Sequence, residues 1–167
     1  MLKCSDLFLP LLLPPLLVGC VNIALDDVST NPYKSIDFNN PNPANYRKLE
    51  SNKTYSIWIH KKDGTIISTK SECSKAEPVL DTYVNAIVND LQGSKLLIEK
   101  DVVFNGRPGT RKVFTAKIDG IKTFFDIVAF KKYGCIFLLS RNGLEKGFLR
   151  SQRDFEVFLK SFRVNKS

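Results

Sequence analysis

From residue 55 onward, apolar and polar positions follow two rhythms, one of two residues and one of three to four. Tyr55, Ile57 and Ile59 alternate with Ser56, Trp58 and His60, which sets the first three on one face of a strand. Lys61-Lys62-Asp63-Gly64 and a second extended run over 65–70 complete a hairpin signal. The period then lengthens. Val79, Leu80, Tyr83, Val84, Ile87, Val88 and Leu91 recur at helical steps behind Pro78, which suits a first helical position, and Gly93 is the expected stop. Past Gly93, a short strand begins at Lys95 and runs towards Val102 to Asn105, and Asn105-Gly106-Arg107-Pro108-Gly109 reads as a loop. Runs over 112–118, 121–132 and 135–140, joined by Asp119-Gly120 and Tyr133-Gly134, predict a meander of three antiparallel strands. Ser151-Gln152-Arg153-Asp154 has the form of a capping box with Asp in place of the longer acid. Behind it, Phe155, Phe158, Leu159 and Phe162 form the apolar stripe of a last helix.

Hairpin, helix, three-strand meander and helix give an α+β domain, an antiparallel sheet with helices packed on it. At Phe114 to Phe130, Gly134 to Leu139 and Asp154 to Arg163 the chain resembles the PsbP-like fold of small exported or lipid-anchored proteins. That resemblance implies an assembly or binding subunit without catalysis. It transfers no active-site residue.

The first twenty residues tell a separate story. Lys3 precedes an apolar run from Leu7 to Val18, the order of a secretory signal. The run is too short to cross a bilayer, which takes about 20 residues, and Pro10, Pro14 and Pro15 interrupt it. Leu17-Val18-Gly19-Cys20 resembles the lipobox of bacterial lipoproteins. The resemblance implies cleavage before Cys20 and acylation of that cysteine. One acyl chain binds a membrane marginally and two hold it stably. Val21 stands where an aspartate would, by the sorting rule of enteric bacteria, retain the protein at the inner membrane, so an outer-membrane anchor is expected. An ordinary signal peptide cut elsewhere, or a buried helix, is the alternative. The expected organisation is thus a signal peptide over 1–19, a lipidated Asn/Pro-rich tether over 20–52 and a globular domain over 53–167. Ile36, Phe38 and Tyr46 are the tether residues able to dock on that domain.

Charge and candidate chemistry narrow the function. Net charge is +8, and residues 101–167 hold fourteen Lys/Arg against six Asp/Glu. Such a bias attracts an anionic lipid, a phosphate or an acidic protein partner, or is simply a soluble basic surface. Export and the lack of any recognition motif argue against nucleic acid. With Cys4 in the leader and Cys20 acylated, Cys73 and Cys135 remain, either as a disulfide, suited to an oxidising compartment, or as two buried thiols. His60 is the single histidine and no CxxC spacing exists, so no metal or other cofactor is expected. Asp119 and Asp126 read as turn and sheet-surface residues. Arg107, Arg111 and Lys112, around the Pro108 loop, are the candidates for binding an anion or a partner. Three readings follow: a non-catalytic binding or assembly subunit, a small enzyme using His60 with a carboxylate, and a carrier of lipid or a small apolar ligand. In the first two, His60 is either an exposed strand-end residue or the edge of a pocket.

Overall fold

The computed structural model describes residues 33–74 and 79–166. The leader, Cys20, the first part of the tether and Pro78 lie outside them. Nine strands and three helices follow in the order β1 (Tyr33–Asp37), β2 (Tyr46–Ser51), β3 (Tyr55–His60), β4 (Ile66–Cys73), α1 (Leu80–Asp90), β5 (Lys95–Phe104), β6 (Arg107–Ile118), β7 (Ile121–Lys132), β8 (Cys135–Gly143), α2 (Glu145–Arg150), α3 (Gln152–Ser161) and β9 (Arg163–Lys166). Strands β2 to β8 form one antiparallel sheet in the order β2-β3-β4-β8-β7-β6-β5, and β1 pairs with β9 in a second, two-stranded sheet. The architecture is α+β, as expected, with strands more dominant than the pattern suggested.

The meander has four strands because Asn105-Gly106 is a turn and the chain beyond it is strand. Asn105-Gly106, Asp119-Gly120 and Tyr133-Gly134 each place two successive residues at positive φ, the backbone of the turn that matches strand twist. What reads as a loop over 105–109 is therefore a tight turn followed by the start of β6. Pro108 is tolerated there because pairing with β7 begins only at Gly109. Gly109 serves a close approach: a Cβ at that position would sit 2.5 Å from the Ala129 carbonyl oxygen.

Both faces of the large sheet are covered in part. On one, Val88 of α1, with Ile87 and Leu91, packs over Phe114, Ala116, Phe125 and Ile127. On the other, Phe155, Phe158 and Leu159 of α3, followed by Phe162, join Trp58, Ile67, Val128, Phe130, Phe137 and Leu139. Burial of each such side chain contributes about 1.5–3 kcal/mol. This second face is also the one that takes Ser56, Trp58 and His60, so the buried side of β3 is the opposite of the Tyr55, Ile57 and Ile59 side, which is half-buried.

The domain begins earlier than residue 53. Tyr33 and Tyr46 are buried, and Phe38 lies flat against Phe162 with ring centroids 5.8 Å apart and meets Trp58 edge-on at 5.4 Å. The Asn/Pro cluster between them is a turn: Asn42 accepts the Ala44 N–H on its side chain at 2.9 Å and the Tyr46 N–H on its carbonyl at 2.9 Å. Few apolar residues lie in this stretch, but Tyr33 and Tyr46 enter the core and Ile36 and Phe38 pack against it, while Leu49 stays exposed.

At the far end, α2 runs straight into α3 and alters the expected cap. Ser151 closes α2, its N–H donating to the Gly147 carbonyl at 2.9 Å, and its hydroxyl donates back to the Phe148 carbonyl at 3.1 Å. Its side chain does not cap α3. The capping box is therefore not formed.

Candidate functional site

Consecutive hairpins alternate ends, so the Asn105-Gly106 and Tyr133-Gly134 turns fall at the same end of the sheet. The last residue of β4 and the first of β8 meet there too. Cys73 and Cys135 are directly opposed in the β4–β8 register and are joined by a disulfide with an S–S distance of 2.05 Å. Closing a loop of 62 residues stabilises the fold by roughly 4 kcal/mol in the chain-entropy account.

Beside this bridge lies a cleft of about 520 Å³. Its apolar walls come from Val79 and Leu80 at the start of α1, Pro108, Tyr133 and Ile136, and its cations are Arg107, Lys131 and Lys132. The one acid on its wall, Glu72, is already engaged: its Oε2 lies 3.0 Å from Lys70 Nζ and accepts the Tyr83 hydroxyl at 3.1 Å. The Lys70 bond, foremost, holds the Glu72 carboxyl below its ordinary value. Lys132 Nζ donates to the Asn105 carbonyl at 3.4 Å and lies 5.2 Å from the centre of the Tyr133 ring. Arg107 and Lys131 have no hydrogen-bond or ion-pair partner among the described residues. The cleft thus combines apolar walls with positive charge that no described residue neutralises, within the ordinary size range of small-ligand sites.

The structure separates the three cations singled out from the sequence. Arg107 opens on the cleft. Arg111 is turned to the α3 face, where its Nε and Nη2 grip both oxygens of Asp126 at 2.8 and 2.7 Å, and Nη2 also meets Glu156 at 2.7 Å. Arg141 donates to the same carboxylate at 3.1 Å and to the Phe148 carbonyl at 2.9 Å. Asp126 is 1% exposed and Arg141 3%. The bonds from Asp126 raise the pKa of Arg111, whereas burial lowers that of Arg141 against the pull of Asp126. Asp126 and Arg141 form the buried part of this charge cluster, so Asp126 is not a surface residue, while Arg111 and Glu156 carry it out to the wall of a separate cleft below α3. Lys112 faces the other way, buried, bonded to Asn85 Oδ1 at 2.7 Å and paired with Glu99. It is withdrawn from recognition. Asn105 braces the fold, its amide donating to the Phe162 carbonyl at 2.9 Å and its Oδ1 accepting the Val164 N–H at 3.2 Å.

His60 is 8% exposed, which corrects the expectation of an exposed strand end. The ring of Tyr46 covers it at 5.0 Å, and its Nδ1 lies 3.0 Å from Asp63 Oδ1. Asp63 also accepts the Thr65 N–H and hydroxyl at 3.1 and 2.8 Å and Arg150 at 2.8 Å. Burial pushes the Asp63 carboxyl up, but the Thr65 bonds, with His60 and Arg150 nearby, leave it below its ordinary value. The group ties the β3–β4 turn to α2, and Gly147 is required there because a Cβ would lie 2.3 Å from the Thr65 hydroxyl. His60 is not on the wall of the cleft beside the disulfide. Among the described residues, no His, Cys, Asp and Glu group has the arrangement of a metal site, and no helix is long and apolar enough to cross a membrane.

The cleft depends on strand order, which no local pattern encodes. The signals that belong to it, Lys131-Lys132-Tyr133-Gly134 next to Cys135, are legible only as a turn and a cysteine.

No family model matches the chain, and no curated protein matches it. Solved structures do. The domain is similar to LpqN of Mycobacterium tuberculosis, described as involved in cell envelope biogenesis, with a TM-score of 0.59 at 13% identity over 81% of this chain and 86% of that one. A Pseudomonas aeruginosa protein of unknown function, PA94, a putative regulator, superposes with a TM-score of 0.54 at 9% identity over 67% of this chain and 92% of that one. The cyanobacterial PsbP protein CyanoP of Synechocystis superposes with a TM-score of 0.50 at 10% identity over 84% of this chain and 98% of that one. The shared feature is the fold. The domain has a PsbP-like fold.

Proposed function

We propose that this protein is a non-catalytic binding or assembly subunit of the bacterial cell envelope, held at the outer membrane by acylation of Cys20. The observation that carries the reading is the cleft beside the disulfide, a concave site whose Arg107 and Lys131 side chains have no partner among the described residues. The one histidine is enclosed by Tyr46 and the Asp63 turn, in keeping with a role without acid-base chemistry. LpqN lends the envelope location its support, through a shared fold and its printed role.

Metabolic labelling with a fatty-acid analogue tests the anchor. The full chain takes up label and follows the outer-membrane fraction, and Cys20→Ala does neither. Label retained by Cys20→Ala overturns the anchor. Co-purification from native membranes tests the subunit role: a protein recovered with the full chain and lost with Arg107→Ser/Lys131→Ser supports it. Recovery of the chain alone under mild solubilisation overturns it.

A further inference from the structure

We infer that the cleft beside Cys73–Cys135 takes an anionic amphiphile, a phosphate or carboxylate head joined to an apolar chain. The inference rests on the binding reading above and names the ligand class. Three features of the same place carry it.

The first is unneutralised charge. The side chains of Arg107 and Lys131 have no partner among the described residues, and the one described acid on the cleft wall, Glu72, is held by Lys70 and Tyr83. An arginine fork and an ammonium together suit a phosphate or carboxylate head. The second is the wall. Val79, Leu80, Pro108, Tyr133 and Ile136 offer hydrocarbon surface and little hydrogen bonding, which an inorganic anion cannot use and an alkyl chain can. The third is exposed hydrocarbon at the mouth. Val79, on the cleft wall, is 65% exposed. Pro108, on the same wall, is exposed as well. Apolar groups left in water at the rim of a charged cleft mark a place where a ligand covers them. Each CH₂ of a chain buried there adds to the hydrophobic gain. The ligand is therefore chosen by both ends at once.

The test uses the chain from Val21 onward, which contains every core residue described, and calorimetric titration below micelle-forming concentrations. Dodecyl phosphate binds one site, while inorganic phosphate and dodecyl maltoside bind at least tenfold more weakly. Arg107→Ser/Lys131→Ser lowers dodecyl phosphate affinity at least tenfold. Val79→Ser lowers it severalfold with the charges intact, and Lys166→Ser, on β9, leaves it unchanged. The altered side chains lack partners among the described residues or are solvent-exposed, and a thermal melt verifies that each variant is folded. Equal affinity for dodecyl phosphate and dodecyl maltoside, or no loss in the double variant, overturns the proposal. So does binding of a polyglutamate peptide in place of dodecyl phosphate. Sedimentation with phosphatidylglycerol vesicles, against phosphatidylcholine vesicles, separates the sources. Binding to the former that the double variant abolishes points to a bilayer lipid head, and dodecyl phosphate binding without vesicle binding points to a free amphiphile. Fatty-acid labelling of Cys20 reports on the anchor alone, so failure here leaves that result standing.

Discussion

Asp126 accepts from two guanidinium groups at 1% exposure, and that arrangement makes it the most demanding single residue of the domain. An asparagine there keeps the shape and removes the charge that both arginines require. Asp126→Asn is expected to lower unfolding free energy by about 3–5 kcal/mol, measured by urea titration, because it strands buried positive charge. Asp63 sets an acid limit. Its carboxyl is held lower in the fold than in the unfolded chain, so it binds fewer protons when folded. Its contribution is complete above the ordinary carboxylate value of about 3.9 and is lost as pH falls through the lower, folded value. Asp63→Asn is therefore expected to flatten the acid side of a stability-against-pH curve while lowering stability near neutrality. Neither role is legible from sequence. Alternation assigns Arg111 and Asp126 to strands, but it does not say that α3 lies over them and removes water.

At the scale of elements, apolar rhythm locates α1, α3 and the hairpins, and misses the short α2. It fails where one residue type has two explanations. Pro108 and Gly109 look like loop breakers, yet Gly109 is required by the closeness of β6 to β7. Gly109→Ala is expected to destabilise by roughly 1–3 kcal/mol, the cost of overpacking, with the loss visible in the thermal midpoint. Ser151 shows the same ambiguity: the capping pattern is present, but a preceding helix claims the hydroxyl. The Asn/Pro-rich stretch hides β1 and β2 because long-range pairing with β9 and β3, not local propensity, makes them strands. A chain cut to residues 53–167 exposes the surface under Phe38 and Tyr46. It is expected to lose the cooperative thermal transition that the chain from Val21 shows, as read by circular dichroism.

At the scale of the whole molecule, the cleft is a product of topology. Three sequence-distant pieces, the β4 end with α1, the β6 start and the β7–β8 turn, meet only because β8 inserts between β4 and β7. The excess of positive charge in the second half, plain in the sequence, lies mostly on the open surface, but five of its residues take three special places once the strands are ordered. Arg111 and Arg141 lie against Asp126, Lys112 seals the α1 side, and Arg107 and Lys131 remain outward at the cleft. A count of basic residues cannot make that division.

The β1–β9 pairing places Tyr33 opposite Lys166, so the described chain enters and leaves the domain at one spot. A pull from the amino-terminal side reaches this short ribbon before the seven-stranded sheet. Because Tyr33 of β1 is buried against Phe137 and bonded to Ser71, opening the ribbon also loads the edge of the core. In mechanical terms the ribbon is a clasp at the point where the described chain enters and leaves the domain.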